Sequence, residues 1–141
     1  MMSPRAFVYP MFAMVLLTAS VLVRLFRARV RAVSSGQVNA SYYWTYQSGA
    51  EPGDAAKLSR HFSNLFEAPV LFYACCLAAM VTGRCGLVSL SLAWLYVIAR
   101  IVHTYIHTGS NRLRKRIAAY FASWLVLVAM WVVLVIDVAW A

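Results

Sequence analysis

The chain has 141 residues, of which 63% are hydrophobic and 12% are charged, and its mean hydropathy is +0.71. A soluble domain is about half apolar and about a quarter charged, so this composition excludes an ordinary soluble enzyme and indicates an integral membrane protein. The 13 basic and 4 acidic residues give a net charge of +9. Because the bases flank hydrophobic runs, they indicate contact with the lipid bilayer and no nucleic-acid partner.

Four hydrophobic segments divide the chain into membrane spans. They lie at about residues 7–26, 60–83, 87–108 and 117–137, and each is long enough to cross a bilayer as a helix. We therefore predict an all-α fold, an integral membrane four-helix bundle that forms a single domain over residues 1–141. Arginines follow the first segment and no A-x-A site does, which favours a retained span over a cleaved signal peptide.

The segments between the spans carry the turn signals. Residues 28–56 form a polar loop with Gly, Pro and an aromatic cluster at 42–46, which we expect at the membrane interface. Asp54 is the predicted N-cap of the helix that carries span two. That helix is expected to continue through Pro69 with a kink. Residues 83–86 form a tight turn, so spans two and three are an antiparallel hairpin.

The distribution of bases predicts the orientation in the membrane. Loops 27–59 and 109–116 hold eight of the 13 Lys and Arg residues, so we expect them to face the cytoplasm and both termini to face the other side. Cys75 and Cys76 lie within span two and are expected to be small packing residues.

Two sets of polar side chains share helical spacing near the cytoplasmic ends of spans two and three. The first set consists of Arg60, Asn64 and Glu67. The second set consists of Arg100, His103 and His107. Positions four and seven residues apart in a helix point in nearly the same direction. Because span two enters from the cytoplasm and span three returns to it, we expect the two stripes to face each other at similar depth.

The residues in these stripes admit two interpretations. In the structural one, Glu67 and Arg100 neutralise each other inside the bundle. In the functional one, the excess arginines hold the carboxylates of a small zwitterion, Glu67 holds its ammonium group, and Asn64 serves its peptide groups. His103 and His107 also have a metal spacing, but Glu67 is the only nearby third ligand, so we expect no metal.

The pattern Arg60-x-x-x-Asn64-x-x-Glu67, followed by Arg100-x-x-His103 and a basic loop, resembles the MAPEG family of membrane-associated proteins in eicosanoid and glutathione metabolism. The run from Asn64 to Tyr73 is similar to bacterial members, which implies location in the bacterial inner membrane. The resemblance further implies a homotrimer that binds glutathione between neighbouring subunits near the cytoplasmic face.

The resemblance also assigns roles to individual positions. The residues that would bind glutathione, as a co-substrate, are Arg27 (in preference to Arg24), Arg60, Asn64, Glu67, Arg100, His103 and His107. The catalytic residue that would stabilise the glutathione thiolate is Arg116, with Arg114 and Arg112 as alternatives.

The activity implied by the resemblance is a glutathione transferase or peroxidase that acts on a lipophilic small molecule. Two departures leave catalysis open: Ala68 follows Glu67 where the family often has an aromatic residue, and His107 stands where a tyrosine is usual. The alternative is a non-catalytic membrane protein of the same fold whose polar stripes are structural. A small proton-coupled exporter is a weaker alternative, because span one has no acidic residue.

Overall fold

The protein consists of four long helical segments, which we call membrane paths. The computed structural model describes residues 2–47 and 49–140. A 3-10 turn at Pro4–Phe7 leads into helix α1. The α-helices are α1 (Val8–Ser34), α2 (Tyr42–Thr45), α3 (Gly53–Asn64), α4 (Ala68–Val81), α5 (Leu87–Thr108) and α6 (Leu113–Ala139). Within the described residues, four helical segments are long and apolar enough to cross a membrane, α3 and α4 together making one of them. The predicted all-helical membrane architecture is therefore confirmed.

The core lies where the inward faces of these helices meet. Each membrane path contributes buried apolar side chains, among them Met14, Phe72, Cys76, Tyr96 and Leu127. The rings of Phe72 and Tyr96 stack with their centroids 4.6 Å apart, which packs α4 against α5. Many large apolar side chains on the outward faces are exposed, as membrane helices require for contact with lipid.

The second span is broken between α3 and α4. Helix α3 ends at Asn64, α4 begins at Ala68, and Glu67 between them has φ −96° and ψ −96°. Pro69 has no N–H to offer the carbonyl group of Leu65, and its ring would collide with that carbonyl in a continuous helix. The expected single kinked helix is therefore wrong: the proline sits in the first turn of a new helix, where a missing N–H costs little.

Two other helix boundaries differ from the expectation. Helix α1 continues to Ser34 instead of giving way to a loop at residue 28, because its Arg and Ala residues favour helix and no glycine occurs until Gly36. Helix α6 begins at Leu113, so the second half of the predicted basic loop 109–116 forms its first turn.

Asp54 does not act as the N-cap of α3. The helix begins at Gly53, before Asp54, and Pro52 occupies the N-cap position. The Asp54 carboxylate instead accepts a bond from Lys57 Nζ at 3.2 Å. Its place in the first turn still complements the positive end of the helix dipole.

Arg29 ties the polar loop to the helices. Its Nε donates to Glu51 Oε1 at 2.8 Å and its Nη2 donates to Ser59 Oγ at 3.2 Å. The guanidinium also lies 5.2 Å and 5.7 Å from the ring centroids of Tyr43 and Tyr46. This cluster joins α1, the loop and α3, and so fixes the N-terminal end of span two.

Gly83→Ala is expected to lower the free energy of unfolding by about 1–2 kcal/mol, because Gly83 has φ +71° and an L-residue is strained there. Gly83 ends α4 in a Schellman motif, in which the Arg84 N–H donates to the Ala79 carbonyl at 2.9 Å. Thermal unfolding in detergent measures the loss. Gly53→Ala is the control, since a Cβ at Gly53 would meet open space and its φ is not positive. An equal loss in both variants would contradict the role assigned to the positive φ of Gly83.

Cys85 is expected to resist alkylation in the folded protein. Its side chain is buried, its thiol donates to the Ala79 carbonyl at 3.5 Å, and burial raises the pKa of the Cys85 thiol. A raised pKa leaves less thiolate at pH 8, and only the thiolate reacts. Mass-spectrometric mapping after maleimide treatment should find Cys85 modified only once the protein is denatured; rapid labelling of the native protein would disprove this.

Candidate functional site

The inward face of span two begins at His61. His61, Leu65 and Ala68 are 0%, 2% and 1% exposed, whereas Arg60 and Glu67 are exposed and Asn64 is half-buried. The expectation that Arg60, Asn64 and Glu67 face span three is therefore wrong by one position, which is about 100° around a helix. Sequence reasoning missed His61, although its register with the apolar Leu65 and Ala68 is a signal that could have found it.

The stripe on span three does face inward, as predicted. Arg100, His103 and His107 are all buried, and the His103 ring lies 5.7 Å from the Tyr120 ring of α6, measured between centroids. These three residues of α5 therefore point into the bundle toward α3 and α6. His61 is the span-two side chain that meets them.

Arg100 stabilises the broken end of α3. Its Nη2 donates to the backbone carbonyl oxygen of Asn64 at 2.9 Å. In a continuous helix that oxygen would accept the N–H of Ala68, but no backbone N–H among the described residues reaches it. The guanidinium also sits at the negative end of the α3 dipole. The anticipated ion pair of Arg100 with Glu67 does not occur among the described side chains.

Three buried histidines meet beside this break. The ring centroids of His61 and His107 are 4.7 Å apart, and His103 lies 5.4 Å and 5.5 Å from them. His61 Nδ1 is 2.9 Å from His107 Nδ1, and His61 Nε2 is 2.9 Å from Thr104 Oγ1. One ring nitrogen from each histidine lies within 4.8 Å of the others.

The hydrogen bonds around His61 determine which ring nitrogens carry protons. The Thr104 hydroxyl donates to the Arg100 carbonyl at 2.8 Å, so its oxygen accepts from His61 Nε2. With both rings neutral, His61 Nδ1 must then accept from His107 Nδ1, and His107 Nε2 accepts from Arg116 Nη1 at 3.4 Å. The bonds run in one direction, from Arg116 in the first turn of α6 to the backbone of α5.

His103 stands outside this chain of bonds. It is 1% exposed, and neither of its ring nitrogens has a hydrogen-bond partner in the described part of the chain. The same holds there for Nε and Nη1 of Arg100 and the hydroxyl of Tyr96. Each such buried group costs about 1–3 kcal/mol if it stays unpaired. The face of α5 that carries Tyr96, Arg100 and His103 therefore favours a polar ligand.

Two cationic clefts open beside the network, on either side of the start of α3. The first has a volume of about 250 Å³ and is lined by Gly53, Lys57, Arg60, His107, Asn111 and Arg116. The second has a volume of about 350 Å³ and is lined by Arg24, Arg27, Ala28, Arg31, Asp54, Lys57, Leu58 and Thr108. The excess of positive charge in both clefts favours an anionic ligand.

The structure brings some of the predicted site residues together and separates others. Arg60, His107 and Arg116 line the first cleft, and Arg27 lines the second. Asn64 contributes its backbone carbonyl to Arg100, and Glu67 lies on the exposed face. The two alternatives to Arg116, which are Arg112 and Arg114, are exposed at the start of α6.

Comparison with known proteins decides the family. A model of the MAPEG family matches residues 7–136. The chain belongs to the MAPEG family. No curated protein and no solved structure matches the chain. The family match covers all four membrane paths, so the resemblance drawn from the polar residues of spans two and three is confirmed, and the MAPEG protein is a multi-pass integral membrane protein.

His61→Phe is expected to destabilise this MAPEG protein by about 1–3 kcal/mol, because it leaves His107 and Thr104 without their partner inside the bundle. Arg60→Gln, one residue earlier on the exposed face, is the matched control and should change the stability by no more than about 0.5 kcal/mol. Thermal unfolding of both variants in detergent measures the difference. A larger effect for Arg60→Gln would contradict the observed register.

Proposed function

We propose that this MAPEG protein binds glutathione in the cleft beside Arg116 and activates its thiol for attack on a lipophilic electrophile. The observation that carries the proposal is the placement of Arg116. Its Nη1 donates to Asn111 Oδ1 at 3.1 Å and to His107 Nε2 at 3.4 Å, within a cleft that Arg60 also lines. These bonds orient the guanidinium before any ligand arrives.

The chemistry required of Arg116 is modest. A free thiol has a pKa of about 8.5, and a neighbouring guanidinium lowers it, so that more thiolate is present at neutral pH. Both hydrogen bonds of Arg116 use Nη1, which leaves its Nη2 and Nε groups for the thiolate. The electrophile reaches the thiolate from the bilayer, and the protein contributes charge stabilisation and proximity.

The remaining charges of the cleft suit the rest of glutathione. Lys57 and Arg60 line it beside Arg116 and match the two carboxylates of the tripeptide. A cleft of about 250 Å³ in one subunit is smaller than the roughly 300–1,000 Å³ of typical small-molecule sites. A second subunit that closes the cleft would supply the missing walls.

Glu67 supports an assembly of several subunits. It is exposed within the second membrane path, at the break between α3 and α4, and Arg60 is exposed on α3. A charged side chain facing lipid near the bilayer centre costs about 2.5–3.5 kcal/mol, which a neighbouring subunit would avoid by covering it. We propose the homotrimer that the family resemblance implies, with glutathione between subunits and Glu67 near its ammonium group.

The alternative function is a non-catalytic MAPEG-fold protein. The observation that favours it is the burial of Arg100, His103 and His107 inside one subunit, where Arg100 bonds to the end of α3 and His107 bonds to His61. It predicts no saturable glutathione binding.

We retain the proposed orientation, with loops 27–59 and 109–116 on the cytoplasmic side of the bacterial inner membrane.

Calorimetric titration of detergent-purified protein with glutathione tests the site. We expect saturable binding that is lost or strongly weakened in both Arg60→Ala and Glu67→Gln, because each removes a charge that the ligand pairs with. Wild-type protein that shows no binding at millimolar glutathione would refute the proposal and leave the structural interpretation.

Arg116→Ala tests the catalytic assignment, with Arg114→Ala as the matched control two residues away on the exposed surface. Loss of a stabilising donor typically lowers turnover by about 100- to 1,000-fold, so we expect Arg116→Ala to fall by that factor and to lose the ultraviolet absorbance of bound thiolate. Arg114→Ala should keep both. Equal losses in the two variants would exclude a special role for Arg116.

A further inference from the structure

We propose that His61, His103 and His107 form a metal site that binds a late first-row divalent ion, with Zn²⁺ as the reference case. The three imidazoles would supply three ligands, and the fourth position would stay open. Such a set of three protein ligands with an open position is typical of catalytic zinc sites. The inference rests on the geometry of the histidines and does not depend on glutathione binding.

The spacing of the ring nitrogens fits such an ion after small movements. Ligand atoms about 2.0–2.1 Å from a tetrahedral zinc ion lie about 3.3 Å from each other. The nitrogens here lie within 4.8 Å of one another, and the closest pair, His61 Nδ1 and His107 Nδ1, is 2.9 Å apart. The His61–His107 pair would open by about 0.4 Å, and side-chain rotation would bring His103 closer by up to about 1.5 Å.

His103 provides an independent observation that points to a ligand. It is 1% exposed, and both of its ring nitrogens lack a partner among the described residues. The backbone of Arg116 lies beside the ring, but it makes no hydrogen bond of standard geometry to either ring nitrogen. A metal ion bound by the three histidines would satisfy this buried imidazole, which the hydrogen-bond chain of the other two leaves out.

The hydrogen bond that would orient His61 on a metal ion is already present. Metal-bound histidines usually donate their other ring N–H to an oxygen, which fixes the ring orientation. His61 does so: Nε2 donates to Thr104 Oγ1, whose hydroxyl donates to the Arg100 carbonyl. His61 Nδ1 is therefore the nitrogen that carries the lone pair, which accepts the N–H of His107 Nδ1.

Binding requires one change of tautomer. The metal would take the place of the proton between His61 Nδ1 and His107 Nδ1, so that proton must move to His107 Nε2. A protonated Nε2 cannot accept a hydrogen bond, so the long 3.4 Å bond from Arg116 to His107 Nε2 is lost. Arg116 keeps its 3.1 Å bond to Asn111, so the guanidinium stays in the cleft.

The ion has an entry path and a predictable selectivity. The cleft of about 250 Å³ includes His107 in its lining, so one of the three histidines borders a surface opening. Nitrogen ligands without a carboxylate favour Zn²⁺, Ni²⁺ or Cu²⁺ over Ca²⁺ and Mg²⁺. The positive charges of Arg100 and Arg116 oppose a cation but favour an anion, such as hydroxide or a thiolate, as the fourth ligand.

Zinc titration by calorimetry tests the proposal, using chelator-treated, detergent-purified protein in a buffer without thiols. We expect one Zn²⁺ per chain. His103→Phe should weaken the affinity by more than the roughly 10- to 100-fold that loss of an outer-shell partner costs. Because His103 makes no hydrogen bond to other described residues, this variant should keep its fold, which thermal unfolding checks. If it unfolds, His103→Gln takes its place.

The three free cysteines are the competing ligands, and a cobalt spectrum separates them from the histidines. Co²⁺ bound by imidazoles alone gives visible d–d bands without sulfur-to-metal charge transfer, and Cys85→Ser should leave the spectrum unchanged. Zinc binding that survives both His103 substitutions, a sulfur charge-transfer band, or no binding at micromolar Zn²⁺ would overturn the proposal. Glutathione binding to the chelator-treated protein is measured separately, so each idea can fail alone.

Discussion

The hydrogen bond from Arg100 to the Asn64 carbonyl oxygen is the interaction on which the centre of this protein depends. Pro69 prevents span two from continuing as one helix, and a carbonyl left free in a membrane interior costs several kcal/mol. The buried guanidinium satisfies that carbonyl and lies at the negative end of α3. Because α3 is held with its end against α5, His61 comes opposite Thr104 and His107.

The histidine network links the interior of the bundle to its cationic surface. One end is the backbone of α5 and the other is Arg116, whose guanidinium lines the cleft. Residues that pack the helices together therefore also orient the residue proposed to stabilise a thiolate. A structural role and a catalytic role for these histidines are compatible, because buried polar groups with directed bonds rigidify what they contact.

The charged side chains of Arg60 and Glu67 have no ion-pair partner among the described residues of one subunit. Arg60 and Glu67 are exposed beside broad apolar surfaces, while His61 fills the interior. In a soluble protein such charges would be solvated, but in a membrane they require a ligand or a second copy of the chain. The proposed glutathione site and the proposed homotrimer would both provide partners for the exposed charges of Arg60 and Glu67.

The sequence by itself determined the membrane class, the four spans and the MAPEG membership, because hydropathy adds up along the chain and the Arg60–Asn64–Glu67 spacing is local. Only the tertiary structure decided that His61 faces inward, that α3 ends at Asn64, and that Arg100 binds a carbonyl in place of Glu67. A difference of one residue turns a helical side chain by about 100°, and the break at residues 65–67 interrupts the helical register. The three histidines meet across more than 40 positions of sequence, for which no local pattern exists.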